Sequence, residues 1–313
     1  MTIDRRRFLR DLTAGLAAPV LLPALGRAQT AAPSGSITLL HTNDTHSRID
    51  PFPEGSGKLA GLGGVARRAT LIRQVRRSQP HTLLLDGGDF FQGTPYFNRF
   101  RGEVEVKALS ALGYDVVTIG NHDLDIGTDG LEAALAHARF DLVNCNYEFA
   151  PELALGERVK RYVVREVGGV RVGVFGLGVA LEGLVNLKLC PGVRYRDPIQ
   201  AARAAVEELR LERGCHMVVA LTHLGHRGVL GEPGDLDWPR QVAGVNYVVG
   251  GHTHTFLEAP INIRCARSGW QTLVMQVGYG GVNVGRADFV VERGKPQLKR
   301  AALIGVGGMP TYA

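Results

Sequence analysis

The chain has 313 residues, 45% hydrophobic and 21% charged, which excludes a disordered or collagen-like protein and leaves room for a substantial core. A net charge of +6 would suit an anionic polymer as partner, whereas 41 glycines, about 13% against the usual ~7%, point to many tight turns. None of the four cysteines stands in a Cys-x-x-Cys spacing, so zinc-ribbon chemistry finds no support.

The first predicted segment is an address. Arg5-Arg6-Arg7-Phe8-Leu9-Arg10 resembles the bacterial twin-arginine export motif, and residues 12–26 follow without a charge. That uncharged run of fifteen residues is shorter than the ~20 a spanning helix needs, and Gly26-Arg27-Ala28 supplies a small-x-small cleavage site. The expectation is a signal peptide over 1–28 and a linker over 29–36, with the twin-arginine machinery as partner, a periplasmic or secreted destination and no stable membrane span. A basic arm or retained anchor is the competing reading. Removing 1–28 takes away five arginines and two aspartates and leaves +3, so a nucleic-acid polymer loses most of its support as partner.

Beyond the linker, short apolar runs alternate with helical patterns. Strands are predicted at 37–40, 82–85, 116–119 and 141–145, with helices at 65–77, 103–112 and 130–137 between them. The 65–77 helix carries apolar residues at 65, 69, 72 and 75, and its arginines at 67, 68, 73, 76 and 77 are expected to face solvent. A hairpin over 162–167 and 170–175 turns at Gly168-Gly169. A helix at 199–213, strands at 217–221 and 247–249 and a β-rich tail from 273 complete the chain. The alternation argues for an α/β fold with a parallel-rich sheet, and no composition break divides residues 37–313.

Polar residues collect at the ends of these strands. Asp44 and His46 follow the first, Asp89 the second, and Asn121 and His122 the third; His223, His252 and His254 follow later ones. Loops beyond the carboxyl ends of such strands converge on one crevice. Leaving His122 aside, two carboxylates, one amide and four imidazoles exceed what one tetrahedral ion takes and fit two divalent ions sharing a carboxylate. Mixed imidazole and carboxylate donors suit Zn, Mn, Fe or Co. Asp86, still on its strand, is expected to cap the Gly-Gly turn, His41 to be structural, and His226 to lie in a solvated loop. Cys145 and Cys215 read as buried thiols, and a Cys190–Cys265 disulfide is compatible with an oxidising compartment.

The ordered motifs Asp-x-His (44–46), Gly-Asp (88–89), Gly-Asn-His-Asp (120–123), Thr-His (222–223) and Gly-His-x-His (251–254) resemble the calcineurin-like metallophosphoesterase superfamily. Within it, His-Thr-Asn-Asp-Thr-His (41–46), Phe-Gln-Gly-Thr-Pro-Tyr (91–96) and the run 113–125 resemble the 5′-nucleotidase branch. The resemblance implies a single-domain, four-layer α-β-β-α sandwich that hydrolyses phosphate monoesters with metal-activated hydroxide. It puts Asp44, His46 and His254 on one metal, Asn121, His223 and His252 on the second, and Asp89 between them. His122 would be the catalytic histidine and Asp125 its orienting partner. Many branch members add a C-terminal domain whose aromatic pair stacks the nucleobase. The sequence ends at Ala313, so relaxed specificity for small phosphorylated substrates, nucleotides among them, is expected. Some branch members carry Gln at the position of His254. Alternatives are a cyclic-nucleotide phosphodiesterase, a thiosulfohydrolase-like sulfur-ester hydrolase, or a non-catalytic metal-binding accessory protein.

Overall fold

Alternation along the first strand decides the architecture. In Gly35–Thr42, Ile37 and Leu39 enter one apolar cluster and Leu40 enters another, all fully buried. Successive side chains leave a strand on opposite faces, so this sheet is covered on both sides. The neighbouring strand Thr82–Asp86 repeats the pattern, with Leu83 and Leu85 on the first face and Leu84 on the second. Leu40→Ala would therefore open a cavity in a closed layer and is expected to lose about 2–5 kcal/mol. The structure is a computed structural model in which residues 34–307 are described; the signal peptide expected over 1–28 and most of the linker expected over 29–36 lie outside that range.

Seven strands form the first sheet, in the order Lys295–Gly305, Asn283–Glu292, Gly35–Thr42, Thr82–Asp86, Val116–Thr118, Asp141–Val143 and Val159–Lys160. The last five run parallel, while the C-terminal hairpin pairs antiparallel to Gly35–Thr42. A second sheet of six strands has the order Ile261–Arg264, Gln271–Met275, Tyr247–Val249, Met217–His223, Val170–Gly178 and Tyr162–Val167. Its four central strands are parallel and its outer two antiparallel.

Ile37, Leu39, Leu85 and Val116 of the first sheet pack against Val172, Val174, Val219 and Val249 of the second. Helices Val65–Ser78, Glu103–Leu112 and Gly127–Leu135 cover the outer face of the first sheet through Ile72, Leu109 and Leu131. Helix Pro198–Glu207 and Trp238 cover the second through Ala202, Ala205 and Val206. The result is four layers, α-β-β-α, as the family resemblance implied.

Several elements differ from the sequence reading. The 199–213 helix is α-helical over Pro198–Glu207, capped by the Asp197 carboxylate, and then widens into a π turn over Glu208–Glu212. A short helix, Pro95–Phe100, was not anticipated, although Thr94 caps it and Pro95 opens it. The arginines of Val65–Ser78 do not all face solvent. Arg68 is buried beneath Gly281, where it faces Asp86 and Tyr114, and Arg76 reaches the Leu112 and Gly113 carbonyls at 3.2 and 2.7 Å. A cation at a helix carboxyl end is favourable, which gives Arg76 a reason to turn inward. All four cysteines are free thiols, so Cys190 and Cys265 are not bridged. No described helix is long and apolar enough to cross a membrane.

Candidate metal centre

Strand ends from both sheets deliver the polar residues. Asp44 and His46 follow Gly35–Thr42, Asp89 follows Thr82–Asp86, Asn121 and His122 follow Val116–Thr118, His223 ends Met217–His223, and His252 and His254 follow Tyr247–Val249. The ligand atoms of Asp44, His46 and His254 lie within 4.8 Å of one another, as do those of Asp89, His223 and His252. The two triads adjoin. Asp89 Oδ2 is 3.0 Å from His223 Nε2 and 3.8 Å from His46 Nε2. Asp44 Oδ1 is 3.3 Å from His254 Nε2 and 3.9 Å from His223 Nε2.

The backbone is bent into place for this. Asp44, His46, Asp89, His252 and His254 have φ of 50°, 46°, 56°, 77° and 52°. Only a few per cent of non-glycine residues adopt positive φ, and such strain persists where surrounding structure over-determines it. The over-determination is visible in two clamps that the sequence did not reveal. Asp123, which drew no role from its motif, accepts backbone N–H bonds from Asp89, Phe90, Phe91 and Gly120 at 2.8–3.0 Å. Asn43 donates to the Asp44 carboxylate and the Gly278 carbonyl, both at 2.6 Å, and accepts from Val277 N–H at 3.0 Å. Gly120 is required for close approach, since a Cβ there would fall 2.1 Å from Asp89 Oδ1.

Proton positions follow from fixed acceptors. His46 Nδ1–H donates to the Phe91 carbonyl at 3.2 Å and His223 Nδ1–H to the Gly87 carbonyl at 2.8 Å, which aims both Nε2 atoms at the triads. Asn121 Oδ1 is buried without a hydrogen-bond partner, and His223 Nε2 is buried against Asp89 Oδ2 at 3.0 Å. Burial works against a charged His223, but Asp89 and Asp44 outweigh it and push the imidazole up to about 10. Burial likewise opposes an ionised Asp89, yet His223 and His46 hold it well below the usual carboxylate range. Burial, followed by His223, drives His252 down to about 4, which leaves its lone pair available. The His252 lone pair, two carboxylates and the unpartnered Asn121 amide oxygen, joined by His223 Nε2 once its proton is displaced, form a donor set that fits divalent cations.

His122 stands beside the triads. Its ring centroid is 5.4 Å from that of His46, and its backbone N–H donates to Asp89 Oδ1 at 2.8 Å. Its Nδ1–H donates to Asp125 Oδ2 at 2.8 Å, and that bond raises its pKa. The side chain remains 35% exposed, so Nε2 is available to a ligand. His41 instead is buried, with Nε2 3.1 Å from the Tyr247 hydroxyl. Asp86 Oδ1 accepts the Gly88 N–H at 2.9 Å, which caps the turn leading to Asp89. His226 is half-buried, and its backbone N–H donates to Thr253 Oγ1 at 2.9 Å.

Comparison with known proteins assigns the chain to a family. Residues 37–256 match the family model described as calcineurin-like phosphoesterase, and the chain belongs to that family, whose members use divalent metals. Its relatives include 5′-nucleotidases. The snake venom 5′-nucleotidase of Gloydius brevicauda is 36% identical over 82% of this chain and 44% of its own length. The human 5′-nucleotidase is 35% identical over 78% of this chain and 42% of its own. Among solved structures, a 5′-nucleotidase precursor from Thermus thermophilus superposes with a TM-score of 0.78 at 35% identity, covering 87% of this chain and 54% of that one. This chain thus spans about half the length, or less, of these relatives.

Proposed function

We propose that this protein is an exported two-metal phosphoesterase that hydrolyses phosphate monoesters, 5′-nucleotides among them. The observation that carries the reading is the pair of adjoining donor triads with the His122–Asp125 couple at their edge. Asp44, His46 and His254 would hold one cation, Asn121, His223 and His252 the other, and Asp89 would bridge. Bound there, the cations would supply positive charge for the phosphoryl oxygens and an activated water. Asp89 and Asp44 keep the donor set anionic, while the Phe91 and Gly87 carbonyls fix which nitrogen each imidazole presents. His122, held as a cation by Asp125, would stabilise charge on the leaving oxygen or hand it a proton.

Export rests on the twin-arginine motif, and the 5′-nucleotide preference on the names that the relatives carry. A phosphate-release panel on the Mn-, Co- or Zn-loaded protein tests the chemistry. AMP and a simple aryl monoester should turn over faster than a cyclic nucleotide or an aryl diester. A strong diester preference would overturn the monoesterase assignment. Sequencing the amino terminus of the exported protein tests the address, since an intact Met1 there would rule out cleavage.

A further inference from the structure

Beside the first triad the chain builds an aromatic feature that the metal chemistry does not use. Tyr279 lies flat on the His254 imidazole, with centroids 4.8 Å apart and planes 17° apart. Phe256 meets Tyr279 edge-on at 6.3 Å, and Phe52 meets it at 5.9 Å. The Arg48 guanidinium sits 4.1 Å from the Phe52 ring centre. Glycines make the packing feasible: Gly278 and Gly280 have φ of +86° and +66°, and a Cβ on either would fall 2.2 Å from the Phe256 ring or 2.5 Å from Phe52.

The feature is rigid and tied to the donors. Phe256 bridges Val277 through the backbone, Gly278 N–H donates to the Thr255 carbonyl at 3.0 Å, and Gly280 N–H donates to the Asp44 carbonyl at 2.7 Å. Despite this anchoring, Phe256 remains 45% exposed. Rings succeed one another from His122 to His46 at 5.4 Å, to His254 at 4.9 Å, to Tyr279 at 4.8 Å and to Phe256. The row thus leads from the donor triads to the half-exposed Phe256 ring.

We infer that Phe256, backed by Tyr279, is a stacking platform for the flat part of the alcohol that the substrate releases, a nucleobase or comparable aromatic ring. The inference rests on the phosphoesterase reading and names the substrate class of that same site. A ring already fixed in place gives up no rotamer freedom when a ligand stacks on it. Base–aromatic stacking tolerates any base, because every base has a π-face, so the platform selects esters that carry a flat ring without choosing among the rings.

The test compares AMP with ribose 5-phosphate on the metal-loaded protein, since both release a primary 5′-alcohol and differ in the base. The wild type should favour AMP, and Phe256→Ala should lower the AMP to ribose 5-phosphate ratio of kcat/KM about tenfold. Phe256→Trp should restore that ratio, and Phe256→Leu, apolar but not flat, should not. An unchanged ratio in Phe256→Ala would overturn the inference. Calorimetry with adenosine and ribose gives a readout independent of turnover. Adenosine should bind the wild type, ribose should not, and Phe256→Ala should weaken adenosine about tenfold. Failure of adenosine to bind would overturn the platform even in an active enzyme. Adenosine binding without turnover of any ester would sink the phosphoesterase reading and leave the platform standing.

Discussion

The Nε2 atoms of His46 and His254 face each other at 2.9 Å. His46 gives its Nδ1 proton to the Phe91 carbonyl, so its Nε2 is a bare lone pair in the neutral ring. Two imidazole nitrogens this close either share a proton or share a cation. With Asp44 Oδ1 3.3 Å from His254 Nε2, a shared cation satisfies all three atoms.

Metal binding should release protons. His223, pushed up to about 10 by the neighbouring carboxylates, carries a proton at neutral pH that a cation must displace. Calorimetric titration of the apoprotein with Zn or Mn in buffers of different ionisation enthalpy should give a binding heat that varies with the buffer. Affinity should fall as pH drops from 8 to 6. A buffer-independent heat would contradict the proton on His223.

Removing the His122 imidazole should stop chemistry without emptying the centre. His122→Asn is expected to lose about 10²–10⁴ in kcat while metal content stays at the wild-type value. Asp125→Asn removes the bond that raises the His122 pKa. A raised pKa keeps the imidazolium to higher pH, so in this variant the alkaline limb of the kcat/KM profile should move to lower pH. A limb that stays in place would show that His122 is not the group titrating there.

Close approach at Gly120 should be intolerant. A Cβ there would fall 2.1 Å from Asp89 Oδ1 and 2.5 Å from Asp89 N. Gly120→Ala should displace the carboxylate, lower metal affinity and destabilise the fold by roughly 1–3 kcal/mol. Gly214 is the control: a Cβ there meets nothing within 4 Å, and the φ of +63° leaves only backbone strain, about 1–2 kcal/mol. Chelator titration and thermal melts of the two variants make the comparison.

Acid sensitivity should trace partly to His41. Burial lowers its pKa from 6.5 to about 3, so the unfolded chain takes up a proton that the folded chain refuses. The stability it contributes is present above pH 6.5 and is lost as pH falls, about 2 kcal/mol by pH 5. His41→Leu should be less stable at pH 7, because the Tyr247 hydroxyl loses its partner, yet show a shallower decline between pH 7 and 5. Denaturant unfolding at several pH values measures both effects.

Much of the candidate site was legible because each donor sits within a few residues of a strand that periodicity reveals. Asp44, Asp89 and His223 needed only the rule that parallel strands aim their following loops one way. The clamps were hidden, since nothing local distinguishes Asp123 from the Asp125 that pairs with His122. Arg68 reads as one more exposed arginine until Asp86 and Tyr114, distant in sequence, arrive beneath its helix. The division into two sheets was likewise obscured: Val170–Gly178 is largely buried along its whole length and carries no mark of which sheet it joins. The C-terminal hairpin reads as strands in the sequence, but its pairing with Gly35–Thr42 is set across nearly the whole chain. Gly278 and Gly280, which no sequence argument explained, gain a role from the rings of Phe256 and Phe52 that pack on them.

Metal content measured together with phosphate release addresses the two-cation centre most directly. Elemental analysis of the loaded protein should find two divalent ions per chain and metal-dependent hydrolysis of AMP, both abolished in Asp89→Asn and by exhaustive chelation, with activity restored when metal returns. A single ion per chain, or AMP hydrolysis that survives chelation, would contradict it.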